Sequence, residues 1–111
     1  MSKQIKLKYN NEEYTLEYNR KAVATIEALG FNANEITSKP ATMTPLIFQG
    51  AFIMHHSSMT IDKLNEMLYN IPNRSKLINS LINIINECYQ SLLSDDIKDK
   101  DNEKNVSWEI M

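Results

Sequence analysis

Only one cysteine, Cys88, occurs in the 111 residues, so no internal disulfide can staple the chain and a reducing compartment is expected. Glycine is almost as scarce: with two, the sequence cannot build a glycine-rich phosphate loop. No apolar run is long enough for a bilayer, because the longest candidate helix, 77–93, is broken by Asn79, Ser80, Asn83, Asn86 and Glu87. The opening MSKQIKLKYN has no apolar stretch resembling a secretory leader, which points to the cytoplasm. Basic excess is missing too. The formal net charge is −2, leaving no basic face for a phosphate backbone and counting against nucleic-acid binding.

What the sequence does have is a sharp break near Ser94. The run SDDIKDKDNEKN over 94–105 carries Ile97 as its only apolar residue and cannot bury enough surface to offset the entropy of ordering. A patterned body over 1–93 and a flexible charged tail over 94–111 are therefore expected, the tail ending in an apolar tip with Val106, Trp108 and Ile110. A body of this size is marginal alone, which favours a homo-oligomer.

Within the body, Ile5, Leu7 and Tyr9 alternate with lysines, and Tyr14, Leu16 and Tyr18 alternate with Thr15 and Glu17. This period of two on both sides of Asn10–Glu13 reads as a β-hairpin, with Lys6 or Lys8 facing Glu17. Asn19 is placed to cap a helix over 20–29 that Gly30 ends, and Phe31 to fold back on its last turn. A connecting loop is expected over 32–43. Thr44-Pro45 then reads as a cap followed by proline at the first helical position, opening LIFQGAFIMHH. That helix is apolar on every side, so one face is expected on the core and the other on a partner, with Gly50 admitting a close backbone. Thr60 caps a helix over 61–69 stopped by Pro72, and Asn73 or Ser75 starts the longest one, with Leu77, Ile78, Leu81, Ile82, Ile85, Cys88, Tyr89 and Leu92 near a 3.6 period. The fold class is α+β, mainly α: an N-terminal hairpin, about four helices and a disordered charged tail.

Chemistry-bearing residues are few. His55 and His56 are neighbours that diverge by about 100° on a helix, and with Cys88 alone as a soft third ligand they do not make a zinc site. Cys88 sits on an apolar stripe, as a structural thiol does. Asp62 and Glu66 share a helix face beside Lys63 and read as a solvated pair. The alternating Asp99, Asp101 and Glu103 lack the turn glycine and distal glutamate of a calcium loop. No catalytic residue, cofactor or metal is expected. The expected contacts are with protein, through Phe48, Phe52, Met54, Met59 and Trp108.

The order IKLKYNNEEYTLEYNRKAVATIEALGF, a proline-bearing loop and LIFQGAFIMHH resembles the small tail assembly chaperones of long-tailed bacteriophages and prophages, over most of 5–89. The resemblance implies a non-enzymatic protein of the bacterial host cytoplasm that binds the tape measure protein, keeps it soluble, recruits tail tube protein and is absent from the virion. It also implies a longer form made by ribosomal frameshifting, for which Glu103-Lys104-Asn105 is compatible with an A-rich slippery stretch. The competing expectation is a phage- or plasmid-encoded adaptor that inhibits a host protein, with Trp108 and the acidic arm as its binding elements.

Overall fold

The structure is a computed structural model describing residues 3–93, so Trp108 and the expected tail lie outside the described residues. Two antiparallel strands, β1 (Gln4–Tyr9) and β2 (Glu12–Glu17), precede four α-helices: α1 (Arg20–Ala28), α2 (Pro40–Gly50), α3 (Ile61–Asn70) and α4 (Arg74–Leu93). A single 3-10 turn, Ala33–Glu35, lies between α1 and α2. The class is α+β and mainly α, as the periodicities indicate.

The hairpin turns on only two residues, Asn10 and Asn11, at φ 51° and 67°. Asparagine tolerates that left-handed region, and two such residues in succession make the turn whose twist matches the strands. The two-residue loop sets the register, pairing Lys6 with Thr15, Lys8 with Glu13 and Gln4 with Glu17. Neither lysine faces Glu17. The four-residue loop assumed from Asn10–Glu13 slides the pairing by two positions, which keeps every side chain on its face but changes its partner. Gln4 Nε2 donates to Glu17 Oε1 at 3.0 Å, and Lys6 Nζ donates to Thr15 Oγ1 at 2.8 Å.

Helix α1 begins where Asn19 accepts a bond from the Ala22 amide at 2.8 Å, and it buries Ala22, Val23 and Ile26. Gly30 follows at φ 111°, and Phe31 is buried with its amide bonded to the Ile26 carbonyl. Leu29, expected on the apolar stripe, is exposed. Thr60 caps α3 through the Lys63 amide, and Asn73, at φ 57°, turns the chain from α3 into α4.

Helix α2 differs from the sequence expectation at both ends. It starts at Pro40, within the stretch read as loop, and Pro45 lies inside it. The missing Pro45 amide would have bonded Ala41, a residue of the exposed first turn, where water can serve the carbonyl. It stops at Gly50, and residues 51–55 form turns instead of continuing to Met54. The expected partner-facing side is absent: α2 packs against α1, α3 and α4, and its Met43, Leu46, Ile47 and Phe48 are all buried. A helix apolar all round is buried all round here by its own chain.

One bond explains how α2 ends inside the core. Ala51 N–H bonds the Phe48 carbonyl, which leaves the Ile47 carbonyl without its usual helical donor. The buried Tyr18 hydroxyl donates to that carbonyl. Gly50 makes room for it. A Cβ at position 50 would collide with Tyr18 Oη and lie 2.9 Å from Tyr18 Cε1 and 2.7 Å from Ile26 Cγ2. Gly50 thus admits side chains of this chain, where a neighbouring backbone was expected.

Candidate functional site: a groove along the open edge of the hairpin

The two edges of the sheet are treated differently. On β2, two outward-pointing amides are satisfied by the segment that follows α2: Glu17 N–H donates to the Ala51 carbonyl at 3.1 Å and Thr15 N–H to His56 Nε2 at 3.0 Å. The latter bond requires an unprotonated Nε2 on His56. His55 adds a 2.7 Å contact from its Nε2 to Glu17 Oε1, so the buried Glu17 carboxylate is held by Gln4 and His55. Tyr14, Phe48, Phe52 and His56 pack edge to face beside this seam, the Phe48 and Phe52 centroids 4.9 Å apart.

The β1 edge is open. In an antiparallel pair, residues alternate between bonding their partner strand and pointing away from it. Thr15 and Glu17 point away on β2, so their register partners Lys6 and Gln4 point away on β1. Among the described residues no other strand pairs with β1. Alongside that edge runs a groove of about 470 Å³. Five consecutive residues, Lys3 to Leu7, line one wall, and residues of both parities can do so only if the strand presents its edge. The α3–α4 turn and α4 form the other wall, chiefly Ile71, Leu77 and Ile84.

The groove's character follows from its residues. Ile5 and Leu7 are only half-buried, unlike Tyr14 and Leu16 opposite, so the apolar face of β1 is incompletely covered. Lys3, Lys6 and Lys76 stand on its rim with no acidic residue among the lining. Lys3 is tied to Glu87 at 2.9 Å, while Lys6 and Lys76 reach solvent. An apolar floor, a cationic rim and a row of backbone donors and acceptors suit an extended acidic-apolar peptide.

A second, smaller recess of about 90 Å³ lies between α1 and α4, lined by Val23, Ala24, Cys88 and Leu92 with Arg20, Glu27 and Tyr89. Burial, with help from Glu87 and against Arg20, pushes the Cys88 thiol up. Tyr89 Oη donates to Glu27 Oε2 at 2.7 Å, and burial together with that bond pushes the phenol up to about 12.

The residues expected to bind a partner fare differently. Phe48 is 0% and Phe52 1% exposed, so both are core and are corrected from contact anchors to packing residues. The cause is the end of α2 at Gly50, which turns Phe52 back beneath Tyr14 instead of along a free helix face. Met54 is exposed and Met59 packs half-buried against the core; Trp108 lies outside the described residues. No group of three or more His, Cys, Asp and Glu is close enough to hold a metal among the described residues. None of the described helices is long and apolar enough to cross a membrane.

A family profile covers residues 1–111, the whole sequence. The chain belongs to DUF5055, a domain of unknown function. Neither a curated protein nor a solved structure matches this DUF5055 chain. The groove was not found by sequence reading, since it depends on β1 and α4 meeting across some seventy to eighty residues. One signal was available: Ile84 falls just off the stripe through Leu81 and Ile85, widening the apolar face of α4 toward a surface nothing else in the pattern fills.

Proposed function

We propose that this chain is a tail assembly chaperone of a long-tailed bacteriophage or prophage, acting in the host cytoplasm. It binds the tape measure protein as that protein is made, keeps it soluble, recruits tail tube subunits and leaves before the virion is complete. The observation that carries a protein-binding role is the open groove beside β1, with the half-buried Ile5, Leu7 and Leu77 accessible above the buried Ile84, and a strand edge unpaired among the described residues as its wall. Such a surface holds an extended segment by main-chain bonds while the floor takes alternate side chains. The resemblance over 5–89 supplies the identity of the client. Association into a homo-oligomer and a frameshifted longer form belong to the same reading.

Co-expression with the tape measure protein encoded downstream tests it. The client is expected to stay soluble and to co-purify, and Lys6→Pro, which blocks strand pairing at the open edge, is expected to abolish co-purification. A client that aggregates whether or not this chain is present removes the chaperone assignment and moves the regulatory adaptor to the front.

A further inference from the structure

We infer that the groove between β1 and α4 is the docking site of the chain's own C-terminal tip, Val106–Met111, which adds to the open edge of β1 as a third strand. The inference rests on the groove as a peptide-binding surface and not on who the client is.

Pattern is the first argument. The tip reads VSWEIM, with Val106, Trp108 and Ile110 separated by Ser107 and Glu109. A strand of that sequence presents three apolar side chains to one face and a serine and a carboxylate to the other. The edge of β1 asks for that division. Its core-side residues Ile5 and Leu7 meet Ile71, Leu77 and Ile84 across the groove, and its opposite face carries Lys6. With β1 as neighbour, Trp108 falls over the α4 side, and Glu109 falls on the lysine side, where opposite charges on adjacent strands attract.

Charge points the same way. Of the groove lysines, Lys3 is already paired with Glu87, whereas Lys6, which donates to Thr15 Oγ1, and Lys76 make no ion pair among the described residues, and the segment preceding the tip holds Asp95, Asp96, Asp99, Asp101 and Glu103. Lysines on an exposed edge also discourage indiscriminate pairing, so the edge favours an acidic strand over an arbitrary one.

Reach is sufficient. Helix α4 ends at Leu93, sixteen residues beyond the groove residue Leu77, a separation of about 24 Å along a helix. Residues 94–105, twelve in number, extend to about 40 Å. Lys3 bonded to Glu87 places the start of β1 beside the last turns of α4, so the chain leaves α4 near the mouth of the groove. Tethering at this range gives an effective concentration in the millimolar range, enough for a short strand to dock without high intrinsic affinity.

Trp108 is the protein's one tryptophan, which makes the test direct. The full chain alone is examined by selective tryptophan excitation, emission wavelength and acrylamide quenching, with N-acetyltryptophanamide as reference. Docking predicts blue-shifted emission and quenching severalfold weaker than the reference. Lys6→Pro removes the central outward amide of β1 and should restore quenching to the reference level with circular dichroism unchanged. Should that variant lose structure, Lys6→Glu combined with Lys76→Glu, both at exposed positions, replaces it and should raise quenching by repelling the tip. Quenching of the unaltered chain equal to the reference overturns the inference. So does shielding that disappears on dilution together with a dimer seen by light scattering, which would seat the tip on a second copy. No client is present, so failure here leaves the chaperone proposal standing, and failure of the co-expression test leaves this one.

Discussion

Replacing Gly50 by alanine in an exposed helix would be expected to stabilise by up to about 1 kcal/mol, from backbone entropy alone. At this position the sign should reverse. The new methyl would collide with Tyr18 Oη and sit 2.7 Å from Ile26 Cγ2, both side chains being buried. Overpacking of that kind costs about 1–3 kcal/mol. Displacing the tyrosine also breaks its bond to the Ile47 carbonyl, and stranding a buried polar group costs a further ~1–3 kcal/mol. With the propensity gain subtracted, Gly50→Ala should destabilise by about 3 kcal/mol. For a domain of this size that lowers Tm by more than about 10 °C. Urea unfolding followed by far-ultraviolet circular dichroism measures it, read as a lower midpoint at unchanged slope. Tyr18→Phe supplies the cycle: with the hydroxyl gone, the second cost has already been incurred, so Gly50→Ala should cost less in that background than in the parent. A stabilising Gly50→Ala, or strict additivity with Tyr18→Phe, refutes the packing described for the end of α2.

Phe52→Asp should abolish folding, because it places an unpaired carboxylate beneath Tyr14 and against Phe48, and the loss of helical dichroism reads it; a folded variant would return Phe52 to the surface. Asn19→Ala should cost ~1 kcal/mol of stability by urea titration, since it removes the acceptor for the Ala22 amide. Stability should fall as pH climbs from about 10 toward 12, because the folded state holds the Tyr89 phenol up at about 12 and that of Tyr18 still higher, so the unfolded chain releases these protons first. Tyr18→Phe should flatten that decline while lowering stability at neutral pH, as urea midpoints at three pH values will show. Cys88, its thiol raised mainly by burial, should react with a disulfide reagent at mildly alkaline pH more slowly than free cysteine, and Glu87→Gln should speed the reaction.

Local signals carried most of the architecture. Alternation gave the hairpin, and Asn19, Thr60 and Asn73 marked helix starts because each acts on amides or carbonyls within a few residues of itself. Helix α2 escaped for the same reason. Its true start is Pro40 behind Lys39, which offers no side-chain cap, whereas Thr44-Pro45 imitates the capping signal one turn too late. The pairing of Lys6 was misjudged because loop length, not composition, sets register. Phe48 and Phe52 read as surface anchors because nothing in a periodicity reveals that three helices close around α2. The groove was invisible for a related reason: it is made of what the packing leaves uncovered.

The asymmetry of the hairpin bears on how many molecules can join. The β2 side is blocked at Thr15 and Glu17 by the His56 ring and the Ala51 carbonyl, so a newcomer pairs along β1. A sheet that grows from both sides can propagate into a fibre, whereas one with a single free side has a valence of one and stops after the first addition. Whatever occupies that side, be it tip, client or second copy, excludes the others by geometry. A chain with an apolar groove beside a single open edge can thereby keep that surface exposed without polymerising on it.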